Sequence, residues 1–189
     1  LWPFLLFYRG RDCLLLTFLY NKQNINKMSA KFYNETLKKY ISLEEVVEEL
    51  TKYMRLNPDA EYKITVGTDS EGIKETQFVT AIAIVKVGNG GRYFWTKSEK
   101  ISCLTLQDRI YKETMRSIVM VQELKEQIRK IFGNEPFWNN KITVHLDVGK
   151  IGATKDMVEA VVGMVKGYGF EAVIKPYSYV AFTLADRHT

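Results

Sequence analysis

The stretch Ile64-Thr65-Val66-Gly67-Thr68-Asp69-Ser70 decides the fold. Tyr62, Ile64 and Val66 alternate with Lys63, Thr65 and Gly67, the two-residue period of a strand with one apolar face. The stretch ends on a carboxylate, Asp69, set among hydroxyl residues. The same design returns downstream at Ile142-Thr143-Val144-His145-Leu146-Asp147. There Ile142, Val144 and Leu146 share one face, and Thr143, His145 and Asp147 share the other. Each strand delivers an acid at its C-terminal end. Ligands of sheets with parallel strands gather just beyond those ends. If the two strands are neighbours, Asp69 and Asp147 converge there.

Working outward, Glu71-Gly72 turns the chain and Phe78 to Val87 reads as a β-branched strand. Gly88-Asn89-Gly90-Gly91 is hairpin chemistry, and Arg92 to Thr96 returns, so three strands in a row are antiparallel. Upstream, Ser42-Leu43-Glu44-Glu45 is a capping box, followed at helical spacing by Val46, Val47, Leu50, Tyr53 and Met54. Asn57-Pro58 stops that helix. Downstream, a long helix is predicted over residues 106–132, with Gly133 as its stop and a seam of Ile110, Ile118, Val121, Leu124, Ile128 and Ile131. Glu113 lies on the border of that seam. After the second acid-bearing strand, Gly149 to Gly152 loops into a helix over 154–168. A short strand at Ala172-Val173-Ile174 follows, ended by Pro176. Residues 178–188 read as a last helix, with Ser178 as N-cap and Asp186 near its end.

A chain of 189 residues that is 46% hydrophobic and 26% charged can bury a sizeable core. Residues 28–189 read as a single domain, with a helical lead-in at 42–57 and a core at 61–189. Residues 1–27 read as an upstream extension outside that core. Their two apolar runs are split by Arg9-Gly10-Arg11-Asp12, and neither reaches the roughly 20 residues that span a bilayer. A membrane-surface anchor is the competing reading of this segment. Of the net charge of +5, Arg9, Arg11, Lys22 and Lys27 against Asp12 supply +3. A basic binding surface on the remainder must therefore be local. Two cysteines, Cys13 and Cys103, make neither a disulfide framework nor a metal spacing, which fits a cytoplasmic protein.

The order of elements resembles the ribonuclease H-like fold, an α/β architecture with a five-stranded mixed sheet: three antiparallel strands, then two parallel ones, flanked by helices. A closer resemblance is to the bacterial YkuK-like family of ribonuclease H-like proteins. It is carried by Val66-Gly67-Thr68-Asp69-Ser70, by Arg109 through Glu113-Thr114, and by His145-Leu146-Asp147-Val148-Gly149 with Gly152 and Thr154-Lys155. Val162-Gly163-Met164-Val165-Lys166-Gly167, Gly169-Phe170, Ile174-Lys175-Pro176 and Ala185-Asp186 complete it. Ribonuclease H itself carries Thr-Asp-Gly on its first strand, whereas Ser70 follows Asp69 here. The resemblance implies an acid cluster of Asp69, Glu113, Asp147 and Asp186 holding Mg²⁺ or Mn²⁺ as a two-ion site. It implies a nuclease acting on a nucleic acid. Hard cations want oxygen ligands, and two ions about 3.5–4 Å apart can stabilise both the attacking and the leaving oxygen of a phosphodiester.

Other readings stand beside this one. A nucleic-acid-binding module without turnover, or a structural or regulatory protein, could keep the same acids. Asp69 and Asp147 could serve only as turn residues, and Glu113 could simply pair with Arg109 or Lys112. His145 reads as a satisfied core histidine rather than a ligand. Lys150, Lys155 and Lys175 are candidates for contacts with nucleic-acid phosphates. Tyr93, Phe94 and Trp95 could stack bases, although strand alternation puts at least one of them in the core.

Overall fold

The computed structural model describes residues 31–189 apart from Ile73, Asn89 and residues 134–141. The segment 1–27, expected to be an extension, lies outside the described residues. The strands are β1 (Phe32–Asn34), β2 (Lys39–Ile41), β3 (Tyr62–Ser70), β4 (Lys74–Lys86), β5 (Gly91–Cys103), β6 (Ile142–His145) and β7 (Glu171–Val173). The helices are α1 (Leu43–Arg55), α2 (Leu106–Phe132) and α3 (Val158–Gly167), the last entered through a 3₁₀ turn at Lys155–Met157. A terminal helix has π geometry over Val180–Ala185 and 3₁₀ geometry over Asp186–His188.

The strands form one sheet in the order β2-β1-β5-β4-β3-β6-β7. β3, β4 and β5 pair antiparallel, and β6 and β7 then add parallel to β3. This is the predicted mixed core. The sheet is seven-stranded rather than five-stranded because β1 and β2 extend it beyond β5. Each of these has three residues, too few to display a two-residue period. Asn34 makes the turn between them, its Oδ1 accepting from the Thr36 and Leu37 amides. β5 also runs past the predicted Thr96. Its polar continuation, Lys97-Ser98-Glu99-Lys100, resembles a loop, but the pairing with β4 resumes across a bulge. The buried Ser98 hydroxyl there accepts from the Phe78 amide at 3.0 Å.

The capping box of α1 is complete: Glu45 N donates to Ser42 Oγ, and Ser42 N donates to Glu45 Oε2. α2 has the predicted span and ends at Gly133, whose φ of 74° suits glycine. Ile110, Ile118, Val121, Leu124 and Ile128 are buried, but Ile131 is exposed, so the seam stops one turn early.

The terminal helix departs most from expectation. Ser178 does not cap it: the helix has no side-chain cap, and Ser178 Oγ is buried without a hydrogen-bond partner. His145 meets the helix start instead, its Nδ1 accepting from the Val180 amide at 3.2 Å. The helix lies on the face of β3 and β4 that carries Gly67, Val79, Ala81 and Ala83. A Cβ on Gly67 would stand 2.7 Å from the Ala181 nitrogen, so glycine there permits the close approach.

Candidate active site

Two faces of β3 build the site. Strand alternation puts Thr68 and Ser70 on the α2 side, and Gly67 and Asp69 on the terminal-helix side. On the α2 side, Ser117 Oγ lies 2.9 Å from Thr68 Oγ1, and Ser70 Oγ donates to Glu113 Oε1 at 2.6 Å. Two strand residues span about 6.6 Å and four helical residues about 6 Å, so the two contacts are commensurate along antiparallel elements. They hold Glu113 at the C-terminal end of β3. The sequence placed Glu113 on the seam border, whereas the structure buries it at 4% exposure.

On the other face, Gly67 pairs with His145 in parallel register, so Asp69 and Asp147 each follow two residues beyond that pair. Burial, first, and then the Asp147 charge push the Asp69 carboxyl up to about 7. The Ser70 amide and Arg109 oppose this rise, and Asp186 adds to it. The Glu113 carboxyl is pushed up to about 8, chiefly by burial, with the Asp69 and Asp147 charges adding and the Ser70 hydroxyl and Arg109 opposing. Asp69, Glu113 and Asp147 therefore share one electrostatic site, and Asp186, exposed on the terminal helix, reaches Asp69 through its charge.

Part of this charge is answered within the protein. Lys175 Nζ stands 2.8 Å from Asp147 Oδ1, which is sealed from solvent and makes no directed hydrogen bond. Arg109 Nη1 donates to the Ser70 carbonyl at 3.0 Å, and its Nε lies 3.7 Å from Glu113 Oε1. The four carboxylates are the right donors for a hard cation, and a cation would favour the ionised forms of Asp69 and Glu113 that burial, and then neighbouring charge, disfavour. One oxygen of Glu113 and one of Asp147 are, however, already engaged. Among the described residues, no three His, Cys, Asp or Glu side chains are grouped closely enough to hold a metal ion.

Residues 45–189 match the family model described as ribonuclease H-like. The chain belongs to this ribonuclease H-like family. It is also similar to the uncharacterized protein YkuK of Bacillus subtilis (strain 168), with 30% identity over 171 residues, covering 84% of this chain and 96% of the relative. No solved structure matches the chain.

Against the ribonuclease H-like sheet, the remaining sequence candidates sort clearly. His145 is a core histidine: it is buried, its ring is pushed down to about 4 by burial, and it is occupied by the Val180 amide. Phe94 is fully buried. Trp95 is covered by the terminal helix, with the His188 ring stacked at 4.2 Å and its Nε1 donating to Glu35. Neither residue is a free platform for bases. The Gly149 amide donates to Thr154 Oγ1 at 3.2 Å. Lys150 and Lys155 are exposed. Lys175, expected at a phosphate, pairs with an acid instead. No sequence signal joins Lys175 to Asp147 across 28 residues. Ser70 did carry a signal, because alternation from Thr68 already turned it toward the α2 face.

Proposed function

We propose that this ribonuclease H-like chain is a divalent-metal-dependent nuclease that hydrolyses nucleic-acid phosphodiester bonds. The observation supporting it is that Asp69, Glu113 and Asp147 lie within charge reach of one another beyond the ends of β3 and β6, their charges adding to the burial that chiefly raises Asp69 to about 7 and Glu113 to about 8. Proteins place carboxylates together against their own repulsion where something positive is to be bound. In this reading Asp69 and Asp147, with Glu113 and Asp186, hold Mg²⁺ or Mn²⁺. The bound ion neutralises the phosphate and supplies an activated water. The chain's own residues set the geometry. Ser70 fixes Glu113, Arg109 ties the end of β3 to α2, and Lys175 balances Asp147 and must turn aside before that oxygen can serve a cation.

The Lys175–Asp147 pair favours a second reading, a nucleic-acid-binding module in which lysine has taken the cation's place. Purified protein incubated with Mg²⁺ or Mn²⁺ and labelled single-stranded, double-stranded, hybrid and branched substrates decides between them. Metal-dependent cleavage abolished by Asp69→Asn supports the nuclease. Binding without cleavage, unchanged by metal, supports the module.

A further inference from the structure

With Phe94 and Trp95 taken into the fold, the exposed large side chains near the acids lie on two loops that continue β6 and β7. Ile151 is 90% exposed and Tyr177 is 77% exposed. The loops touch: the Lys175 amide donates to the Val148 carbonyl at 2.9 Å, and a Cβ on Gly149 would stand 3.3 Å from Lys175 Cβ. A single exposed apolar side chain is ordinary on any surface. Here two stand on adjoining loops beside the acid-bearing strand ends, and the loops carry an excess of lysine, bounded by Asp147, which pairs with Lys175, and by Asp156. Residues 148–155 and 174–178 carry Lys150, Lys155 and Lys175 and no acid.

That mixture favours a polyanion with planar faces. The buried centre of a protein–protein contact is depleted of lysine, whereas single-strand sites combine aromatic rings with lysines along the backbone. Base faces are stacked away inside a duplex and available in a single strand. We propose that Tyr177, with Ile151 on the adjoining loop, is a base-stacking platform for single-stranded nucleic acid, with Lys150 and Lys155 holding the adjacent phosphates. Lys175 is engaged with Asp147 and is not part of the phosphate grip. The inference rests on the nucleic-acid reading above and narrows its substrate to an unpaired strand, bound two residues from the lysine that touches the acid site.

The test is anisotropy of a fluorescent oligothymidylate, an oligouridylate and a matched duplex with the full chain in EDTA, so that turnover plays no part. Wild type should favour the single strands over duplex by about ten-fold or more, and Tyr177→Ala should lose about ten-fold in single-strand affinity. Tyr177→Phe should stay within about two-fold, since stacking needs the ring and not the hydroxyl. Lys150→Ala with Lys155→Ala should flatten the salt dependence. Equal single-strand binding by Tyr177→Ala and wild type, at equal melting temperature, overturns the platform. If that variant instead shifts the sedimentation of the protein, the patch is a contact between copies and the platform is again overturned. Wild type that binds none of the probes removes the nucleic-acid reading as well, whereas loss of the platform alone leaves the acid site untouched.

Discussion

At the scale of single residues, the account turns on small groups in tight places. Gly67 has room for a hydrogen and nothing larger, because the Ala181 backbone lies over it. Gly67→Val should cost about 1–3 kcal/mol by overpacking, read as a lower denaturant midpoint at unchanged slope. Lys175→Met tests the other side of the site. Without the ammonium at 2.8 Å, Asp147 adds its full charge to Asp69 and Glu113. The metal-free variant should melt below wild type, and Mn²⁺ should raise its melting temperature by more than it raises that of wild type, because a competing cation is gone. An equal Mn²⁺ response in the two proteins would count against the lysine as competitor.

At the scale of elements, the site depends on α2 and β3 keeping step. Ser70 and Glu113 form one contact, Thr68 and Ser117 the other. Ser70→Ala removes the hydrogen bond that does most to hold the Glu113 carboxyl down. Its titration should move higher still, with a stability loss of about 1 kcal/mol. The pH dependence of melting reads both. The elements also explain what was legible in the sequence. Long periodic segments such as β3 and α2, and local chemistry such as the Ser42–Glu45 box, announced themselves because their signals sit within a few residues. β1 and β2 were silent at three residues each. The polar half of β5 looked like a loop because its partner strand, not its own pattern, makes it β. The terminal helix was legible as a helix, but its start is met by His145, 35 residues away. The acids Asp69 and Asp147 were legible as strand-end residues. The Lys175 partner of Asp147 was not, since that contact is made across the fold.

At the scale of the whole molecule, the raised carboxyls make stability a function of pH with a definite sign. Asp69 and Glu113 titrate near 7 and 8 when folded, against ordinary values of 3.8 and 4.5. Between those limits the folded chain binds more protons than the unfolded chain, so stability falls as pH rises. Through these two groups, metal-free protein should lose stability progressively from about pH 4 to about pH 9, then level off. Asp69→Asn should flatten that fall, because it removes one titration and part of the repulsion acting on Glu113. A profile that rises from pH 5 to pH 8 would show that the carboxyls are not held above their ordinary range. Among the described residues no helix is long and apolar enough to cross a membrane. The sheet of Lys31–Thr189 carries its acids at the ends of two parallel strands, beside the lysine-bearing loops.

The central claim is that these carboxylates are gathered to hold a cation, and melting curves with and without Mn²⁺ test it most directly. Wild type, Asp69→Asn and Asp147→Asn are compared at pH 8, where Asp69 is largely ionised and Glu113 about half so. The account predicts that Mn²⁺ raises the wild-type melting temperature. Asp69→Asn should be at least as stable as wild type without metal, because repulsion is relieved, whereas Asp147→Asn also gives up the Lys175 pair; both should respond to Mn²⁺ far less, because a ligand is lost. Wild type indifferent to Mn²⁺, together with an Asp69→Asn variant that melts lower than wild type without metal, would contradict it and leave Asp69 and Asp147 as turn residues.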